Sequence, residues 1–401
     1  MSLLSRPWYI VGAKRTPVGA FGGSLSKHTV TDLAVHSTKA AIKEANFDPN
    51  LVKTIVFGNI LHSDKDTAYL SRHAGLKSGV SSDVSAFTVN RLCGSGFQAV
   101  ISCIQELEAY SHDIGIAGGS ENMSRVPYSV RNIRSGTRID MQYTLDDGLM
   151  DALTDHFIGY GMALTAENIA TDMNISREAT DEYAYYSQEC WQKANSSGIL
   201  SDEIASIEIL DRKKKNIEFS SDEHPKFPSV DGLAKLKPVF KKDGVCTAGN
   251  SSGICDGSAS IVIASAKAVE KYSLNPLAKI TAYSSVGCDP TRMGLGPVPA
   301  IQMVLDSMKI DIKDINEKFD HIEINEAFAS QVIGCEKKLG IDRKILNKNG
   351  GGISIGHPVG FSGARIVTHL AHQIKNKRAN HVLASACIGG GQGIAIAMEK
   401  V

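Results

Sequence analysis

The sequence predicts an α/β protein made of two copies of one strand-and-helix unit, with a further segment inserted into the first copy. Strand-like runs punctuated by glycine alternate with helical patterns along the chain, which is typical of this class. The runs in the first third of the chain align with those in the last third at a nearly constant offset. The stretch between the two sets is polar, and its residue pattern differs from that of the flanking strand-like runs.

The strands are short apolar runs bounded by glycine or polar residues. Three such runs lie in the first third, "KTIVFGNIL", "VSAFTVN" and "HDIGIAGG", and "FDHIEINEAF" and "NHVLASACIGGG" have the same character near the end. Between "VSAFTVN" and "HDIGIAGG", an apolar stripe at helical spacing predicts a helix directly after Cys93. The stripe consists of Phe97, Val100, Ile101, Ile104 and Leu107.

Residues at equivalent places in the two sets support a duplication. Asn59 aligns with Asn325, and Ser120 aligns with Cys387. Agreement over four elements favours two copies of one β-α-β unit over chance similarity. The helical stripe aligns at the same offset: Ser95, Gly96, Val100, Ile104 and Leu107 correspond to Ser362, Gly363, Val367, Ala371 and Ile374.

The predicted domain boundaries lie where the residue pattern changes. We expect residues 1–123 together with 249–274 to form the first unit, because "NSSGICDGSASIVIAS" returns to the strand-and-glycine pattern. Residues 124–248 contain helical patterns, the lysine cluster "DRKKKN" and the turn-rich "SSDEHPKFPSVDG", and are expected to form an inserted loop domain. Residues 275–401 would form the second unit.

Composition argues against several classes of function. The chain has 43 acidic and 43 basic residues, so no net field favours nucleic acid or an anionic membrane. No run of about 20 apolar residues predicts a membrane span. The 8 cysteines form no Cys-x-x-Cys pair, and no cysteine–histidine cluster has ligand spacing, so neither a disulfide framework nor a metal site is expected.

The two ends of the chain bear on its location. The N-terminal "MSLLSRPWYIVGAKRTP" lacks the long apolar segment of a secretory signal, and its basic residues are compatible with an uncleaved mitochondrial address. The C-terminal "MEKV" is not a peroxisomal tripeptide. We therefore expect the mitochondrial matrix if the source is eukaryotic and the cytoplasm if it is bacterial.

Cys93 is the first candidate for chemistry. It lies in "NRLCGSGFQAV", at the predicted turn from a strand to a helix, where unpaired N–H groups and the helix dipole favour a thiolate. Gly94 and Gly96 would let a substrate approach and leave N–H groups free as oxyanion donors. The alternative is a cysteine that only fills space at a tight crossing, and the local context does not separate the two.

His357 lies in "NGGGISIGHPVGFSGARI", in a loop before an apolar helix. The duplication places the His357 loop and the Cys93 loop at the same end of corresponding strands in the two halves. If the halves pack about a pseudo-twofold axis, the two loops would meet. A histidine facing Cys93 would accept its proton and leave a nucleophilic thiolate. A polar surface or capping residue is the alternative.

Cys387 and Asn325 are two further candidates. Cys387 ends a strand in "SACIGGGQGIAI", where a thiol suits proton transfer, and these glycines lack the downstream acid of a dinucleotide-binding fingerprint. Asn325 in "EINEAFA" is a neutral donor for a water or an oxyanion, with Glu326 as its orienter or as a helix N-terminal acid. A helix cap without chemistry explains that stretch equally well.

These stretches together resemble the signatures of the thiolase family, in order from about residue 8 to the end. The subtype cues "SVRNIRSGT", "GMALTAENIA" and "GCDPTRMGLGPVPA" resemble the degradative 3-ketoacyl-CoA branch of the mitochondrial type. The biosynthetic acetoacetyl-CoA branch usually has a histidine just before the methionine of "GYGMALTAEN", where this chain has Gly161. The matching blocks are "NRLCGSGFQAV", "AGGSENMS", "TAGNSSGICDGSA", "GPVPA", "INEAFA", "NGGGISIGHPVGFSGARI" and "CIGGGQGIA".

The resemblance implies the thiolase fold, in which two βαβαβαββ halves form a five-layer α-β-α-β-α sandwich with a loop domain inserted in the first half. It implies that Cys93 takes the acyl group as a thioester, and that His357 activates Cys93 and points at the bound thioester oxygen. Cys387 would be the acid/base that moves the proton. Asn325, through a water, would complete the oxyanion hole of His357. The backbone N–H groups of Cys93 and Gly389 would hold the oxygen of the acyl-enzyme.

The resemblance also implies contacts to coenzyme A. Ser252 matches the pantetheine contact, while Lys226 and Ser229 match positions near the nucleotide end. The family commonly has arginine where this chain has Lys226, and lysine lacks the planar fork of arginine. Met162 and Phe328 would line the acyl or pantetheine pocket. CoA and acyl-CoA are expected as substrates, with no permanently bound cofactor, and a homotetramer built from dimers is expected.

The implied activity is thiolytic cleavage of a 3-ketoacyl-CoA by CoA in fatty acid β-oxidation, which gives acetyl-CoA and a shortened acyl-CoA. One alternative is an acetoacetyl-CoA thiolase that condenses two acetyl-CoA molecules. Another is a non-catalytic acyl-CoA-binding protein on the same fold, against which the presence of all four candidate catalytic side chains argues. A Cys/His hydrolase would leave Cys387 and the CoA motifs unexplained.

Overall fold

The structure is a computed structural model, and it describes residue 4 and residues 6–210, 213–226 and 228–401. The first part of the chain alternates strands and helices, as its glycine-punctuated pattern predicts. Its elements are β1 (Trp8–Arg15), β2 (Gly19–Ala20), α1 (Val30–Ala45), β3 (Thr54–Gly58), α2 (Leu70–Lys77), β4 (Ser85–Val89), α3 (Ser95–Ala109) and β5 (Ile114–Asn122).

The middle of the chain adds mostly helices. Its described strands pair only with one another, as the two-stranded sheets β6-β7, β8-β9 and β10-β11, until the chain returns to the main sheet in β12. The boundaries of an inserted domain at 124–248 stay a prediction. The elements are β6 (Tyr128–Ser129), β7 (Asp146–Asp147), α4 (Gly148–Ala152), β8 (Thr154–Asp155), β9 (Tyr160–Gly161), α5 (Met162–Asp172), α6 (Arg177–Ser196), β10 (Ile207–Leu210), β11 (Asn216–Phe219), α7 (Val230–Ala234), β12 (Cys255–Ser265) and α8 (Ala266–Lys271).

The last part of the chain again alternates strands and helices. Not one of the helices in the described ranges is long and apolar enough to cross a membrane. The elements are β13 (Ala278–Gly287), α9 (Pro297–Met308), α10 (Ile315–Lys318), β14 (His321–Ile324), α11 (Ala329–Leu339), α12 (Gly352–Ile355), α13 (Ser362–Lys375), β15 (His381–Ile388) and β16 (Gln392–Glu399).

The main sheet joins the two halves edge to edge. Its strand order is β14-β15-β16-β13-β1-β12-β5-β3-β4, with β2 paired to β12. The halves meet where β1 pairs antiparallel with β13. Within each half, the strands β3 and β14 run parallel to β5 and β15 respectively.

Alternate side chains of the strands face different helix layers, because successive strand residues point to opposite sides of a sheet. In β12, Ile261 and Ile263 lie in a central apolar cluster that includes side chains of α3 and α13. Their neighbour Val262 lies in an outer cluster with side chains of α1 and α2. In β16, Ile396 lies in the central cluster and Ala397 in a second outer cluster, with α9 and α11. The order is therefore α-β-α-β-α, which confirms the expected five layers.

The strand register confirms the duplication. Thr54 of β3 pairs with Gly115 of β5, and the residues at the same offset, His321 and Val382, pair in the second half. The helices α3 and α13 begin at the aligned serines, Ser95 and Ser362.

The second half departs from the expected βαβαβαββ pattern at its third strand. In the first half β4 pairs along β3, whereas the described residues of the second half show a single parallel bridge there, between Ile322 and Leu346. The side chain of Asn347 replaces the next backbone pair: its Oδ1 accepts from the N–H of Ile324, and its Nδ2 donates to the Ile324 carbonyl, both at 2.9 Å. Because an amide side chain offers the same donor and acceptor as a peptide, β14 is satisfied without a full partner strand.

Candidate active site

Cys93 lies in a tight turn between β4 and α3. Leu92, just before it, has φ of 46°, a left-handed conformation that is rare and strained for a branched side chain. The hydroxyl of Ser95 fixes the turn, because it donates to the Leu92 carbonyl at 2.7 Å and accepts from the N–H of Arg91 at 2.8 Å. The half-buried Cys93 is therefore held at the N-terminus of α3 by a rigid turn.

The sulfur of Cys93 does not rest as a thiolate. Burial raises the pKa of the thiol above its ordinary value, and the negative charge of Glu121 adds to this, although the N–H groups of Gly389 and Cys93 itself act in the opposite sense. The N–H groups at the helix N-terminus favour the thiolate, as expected, but the loss of water outweighs them. Cys93 therefore needs a base.

His357 has the protonation state that a base requires. Its Nδ1 lies 2.6 Å from the hydroxyl of Ser362, and that hydroxyl donates its proton to the Pro358 carbonyl at 3.0 Å. Ser362 must then accept from Nδ1–H, which leaves the lone pair on Nε2. Burial lowers the pKa of His357 to about 4, and the positive charge of Arg365 contributes. The ring is neutral at pH 7 and can accept a proton at Nε2.

Asn325 contacts this free nitrogen directly. Its Nδ2 lies 3.3 Å from Nε2 of His357, and its buried Oδ1 has no hydrogen-bond partner within the described ranges. Glu326 is not its orienter. The Glu326 carboxylate instead accepts from Tyr183 at 3.0 Å and from Ser187 at 2.7 Å, both on α6, so the orienter interpretation of Glu326 is wrong.

Cys387 is fully buried near the end of β15. It packs with Met293 and Ala327, against the partly buried Met162 and Phe328. Burial raises the pKa of its thiol well above the ordinary value, and the nearby Cys93 adds to this rise. At neutral pH Cys387 therefore carries a proton that it can donate.

Two cavities meet at Cys93. The wider one, of about 380 Å³, has His357, Ser252, Met162 and Phe328 in its wall. The smaller one, of about 210 Å³, includes Gly389. Both cavities share Cys93, Leu153, Thr154, Met162 and Val359. The rest of the smaller wall combines apolar side chains with an acid, a histidine and two glycines: Ile60, Leu61, Leu92, Ala152, Asp155, His156, Gly389 and Gly390.

Two predicted CoA contacts lie outside these walls. Lys226 and Ser229 are exposed and line neither cavity. The Ser229 hydroxyl accepts from the N–H of Gly232 at 3.1 Å, as the N-cap of α7. Their role at the nucleotide end of CoA stays a prediction.

The glycines after Cys93 serve packing rather than substrate access. A Cβ on Gly96 would overlap the backbone nitrogen of Ala364 in α13, and a Cβ on Gly363 would overlap the nitrogen of Phe97 in α3. A Cβ on Gly94 would press on Ile388. The expectation that Gly94 and Gly96 make room for a substrate is therefore wrong. Gly94 makes room for Ile388 of β15, whereas Gly96 and Gly363 let the N-termini of α3 and α13 cross closely, which brings the Cys93 and His357 loops together.

Sequence reasoning missed Ser362 and Phe240. Ser362 sets the tautomer of His357, and the signal was present, since the duplication aligns it with Ser95. Phe240 lines the wider cavity from the middle of the chain, and nothing in its local sequence distinguishes it from other apolar residues.

A separate buried cluster joins His321, Glu323 and His369, whose donor atoms lie within 4.8 Å of one another. Its charges are already paired, because Arg365 bonds to Glu323 and the Nδ1 of His369 lies 2.7 Å from Glu203. None of the three lines either cavity. Arg365 and Glu203 therefore tie this cluster into the protein interior.

Comparisons with known proteins were consistent over the whole chain. The family described as "Thiolase, N-terminal domain" matches residues 8–267, and "Thiolase, C-terminal domain" matches residues 274–400. The chain is 46% identical to the mitochondrial 3-ketoacyl-CoA thiolase of Bos taurus, over 100% of both chains. It is 43% identical to the acetyl-CoA acetyltransferase of Escherichia coli (strain K12), over 98% of each. The crystal structure of human mitochondrial 3-ketoacyl-CoA thiolase in complex with CoA matches with a TM-score of 0.95 at 45% identity, and the match covers 100% of this chain and 99% of that one.

Proposed function

The chain belongs to the thiolase family, and from this premise we propose that it cleaves 3-ketoacyl-CoAs with CoA, giving acetyl-CoA and a shortened acyl-CoA. One observation carries the proposal: Cys93 lies where two cavities meet, with the base His357 in the wall of the wider one. The second thiol, Cys387, is buried close enough to Cys93 for their charges to interact. The full-length match to a mitochondrial 3-ketoacyl-CoA thiolase supports the same activity.

The first half-reaction breaks the carbon–carbon bond. His357 takes the proton of Cys93 at Nε2, and the thiolate attacks the 3-keto carbon. The bond between Cα and that carbon then breaks, and its electron pair leaves on the Cα of acetyl-CoA as an enolate. His357, now protonated, and Asn325 would stabilise the enolate oxygen, and Cys387 would give its proton to Cα. The acyl group remains on Cys93 as a thioester.

The second half-reaction releases the shortened chain. Cys387, now a thiolate, would take the proton of an incoming CoA thiol, which attacks the thioester carbonyl. The N–H groups of Cys93 and Gly389 would hold the oxygen of the tetrahedral intermediate. Cys93 leaves as a thiolate and recovers its proton from His357, so the enzyme returns to its starting state with no permanently bound cofactor.

The two cavities give the two ends of the substrate different places. Ser252 lies in the otherwise mostly apolar wall of the wider cavity, where its hydroxyl would contact the pantetheine arm of CoA, with Lys226 and Ser229 further out toward the nucleotide end. The smaller cavity has Ile60, Leu61, Leu92 and Ala152 in its wall beside Asp155 and His156, and the acyl tail would lie along its apolar side. The preference for 3-ketoacyl substrates longer than acetoacetyl-CoA is supported by the full-length match to a mitochondrial 3-ketoacyl-CoA thiolase.

We also propose an assembly and a location for the protein. A homotetramer built from dimers is proposed from the family, and sedimentation tests it. The matching bovine relative is described as mitochondrial. The matrix is therefore the proposed location for a eukaryotic source, and the cytoplasm for a bacterial one.

A thiolysis assay tests the proposed function. We expect a higher kcat/KM with 3-ketooctanoyl-CoA than with acetoacetyl-CoA, and loss of activity in Cys93→Ala and Cys387→Ala. Cys103→Ala is the matched control, because Cys103 is a buried thiol inside α3 that lines neither cavity. A preference for acetoacetyl-CoA would favour the condensing enzyme. Binding of acyl-CoA without any turnover would favour the non-catalytic alternative.

A further inference from the structure

Glu121 is a buried acid beside the active site that the mechanism above does not use. It is the penultimate residue of β5, and its side chain is fully buried. Its charge is close enough to Cys93 to raise the pKa of that thiol. A buried carboxylate is costly unless its oxygens are hydrogen-bonded, so its partners indicate what it does.

Four N–H groups donate to the Glu121 carboxylate. Oε1 accepts from Nδ2 of Asn59 at 2.8 Å and from the backbone N–H of Leu61 at 3.1 Å. Oε2 accepts from the backbone N–H of Ile60 at 3.1 Å and from that of Gly360 at 3.0 Å. These four donors favour the ionised carboxylate, which accepts only, over the protonated acid, which carries an O–H donor.

The residues that donate to Glu121 lie in, or next to, cavity walls that both halves of the chain contribute. Ile60 and Leu61 follow β3 in the first half and line the smaller cavity. Gly360 lies in the second half, next to Val359, which lines both cavities, and in the same loop as His357. One side chain therefore ties the loop of the base to the wall beside Cys93.

We propose that Glu121 is a positioning residue for thiolysis: its carboxylate holds the His357 loop against the wall formed by Ile60 and Leu61, so that His357 and Cys93 stay in the wall of one cavity. This inference rests on the proposed function. A displacement of about 1 Å in such a pair is enough to slow a reaction by about 100-fold.

The same charge has a second consequence for Cys93. The groups that act on this thiol are the N–H groups of Gly389 and Cys93, which favour the thiolate, and Glu121, which opposes it. The neighbouring Cys387 is protonated, and His357 is neutral. Burial is the main cause of the raised pKa of Cys93, and a charged Glu121 adds to it, so both favour the thiol form until His357 removes the proton. Burial raises the pKa of Glu121 to about 8 even though its N–H donors act in the opposite sense, so Glu121 is fully charged only above that pH.

Two variants separate position from charge. Glu121→Gln keeps the shape, removes the charge and places an NH2 group against N–H donors. We expect kcat about 100-fold lower, while the alkylation of Cys93 by iodoacetamide at pH 9, where Glu121 is charged in the wild type, becomes faster, with its pH midpoint shifted down. Glu121→Asp keeps the charge but shortens the reach, so kcat falls about 10-fold and the alkylation midpoint stays at the wild-type pH. A slower reaction together with a more reactive thiol is not what general unfolding produces.

Glu203→Gln is the matched control. It removes another buried carboxylate, paired with Arg15 and His369, outside both cavity walls. Thermal unfolding should show a loss of stability, while the alkylation profile of Cys93 stays unchanged.

Wild-type kcat in Glu121→Gln would overturn the inference, as would an alkylation midpoint that does not move in that variant. If Glu121→Gln does not fold, Glu121→Asp decides the matter: wild-type kcat in that variant would also overturn the inference. Absence of thiolysis in the wild-type protein would instead mean that the proposed function has failed. The alkylation measurements remain informative in that case, because they need no substrate.

Discussion

Ser95 and Ser362 occupy equivalent positions in the two halves and act on two different groups. The hydroxyl of Ser95 bonds to Leu92 and fixes the turn that carries the nucleophile. The hydroxyl of Ser362 bonds to Pro358 and fixes the tautomer of the base. The two copies of one unit have thus kept the same serine at the start of the same helix, while the residues that it holds have diverged into Cys93 and His357.

The pH dependence of thiolysis follows from the neutral state of His357. Its pKa is lowered to about 4, so the ring stays unprotonated as the pH falls through 6.5, and the base is lost only near pH 4. We therefore expect His357 to add no acid limb to kcat/KM near pH 6.5 and to add one close to pH 4. Steady-state rates between pH 8 and pH 4, with tryptophan fluorescence to follow unfolding, check this. An acid limb centred near pH 6.5 in folded protein would contradict it.

The identities of the reactive residues could be predicted from sequence, but their states could not. Cys93, His357, Cys387 and Asn325 lie in motifs that resemble the thiolase family, and the duplication already suggested that two of the loops meet. The pKa of Cys93 depends on how much water the folded protein removes, which no local pattern records. The direct contact of Asn325 with His357 likewise depends on distances between residues far apart in the chain.

At the scale of elements, the crossing of α3 and α13 positions the site. The two helices approach so closely at Gly96 and Gly363 that either glycine would clash if it carried a Cβ. Cys93 precedes one helix and His357 precedes the other, so the distance between the helices sets the distance between the two functional loops.

Gly96→Ala is expected to damage both stability and activity. The added methyl group overlaps the backbone of Ala364, so the helices must move apart, which costs about 1–3 kcal/mol of unfolding free energy. Thiolysis should slow by about 10-fold or more, because the base no longer faces the thiol as closely. Gly287→Ala is the control, since a Cβ there would meet its nearest atom at 4.0 Å. Urea unfolding and the thiolysis assay measure both effects. Wild-type kcat in Gly96→Ala would disprove the positional role of the crossing.

The order of the elements was largely predictable, whereas the missing third strand of the second half was not. Periodicity and the repeat anticipated the strands, the helices after Cys93 and His357, and their pairing. Asn347 replaces a strand by two side-chain hydrogen bonds, and an asparagine in a polar stretch gives no sign of this in the sequence.

At the scale of the whole molecule, the central apolar cluster belongs to both halves. It contains side chains of β1 and α3 from the first half and of α13 and β15 from the second. Neither half can therefore keep its central face buried alone. The duplicated ancestry does not make the halves independent domains.

Unfolding should reflect this shared core. Both tryptophans, Trp8 and Trp191, lie in the central cluster, so their fluorescence reports the layer between the halves. We expect the urea transition followed by tryptophan fluorescence to coincide with that followed by far-UV circular dichroism. Two separated transitions, with the tryptophans exposed before the helical signal is lost, would show that the halves unfold independently.

The account rests on one covalent intermediate, an acyl group carried by Cys93. Mixing the protein with octanoyl-CoA in the absence of an acceptor thiol, followed by acid quenching and peptide mass spectrometry, measures it directly. We expect the octanoyl mass on the peptide that contains Cys93 in the wild type and in Cys387→Ala, and no such adduct in Cys93→Ala. An octanoyl adduct on another peptide, or its persistence in Cys93→Ala, would contradict the account.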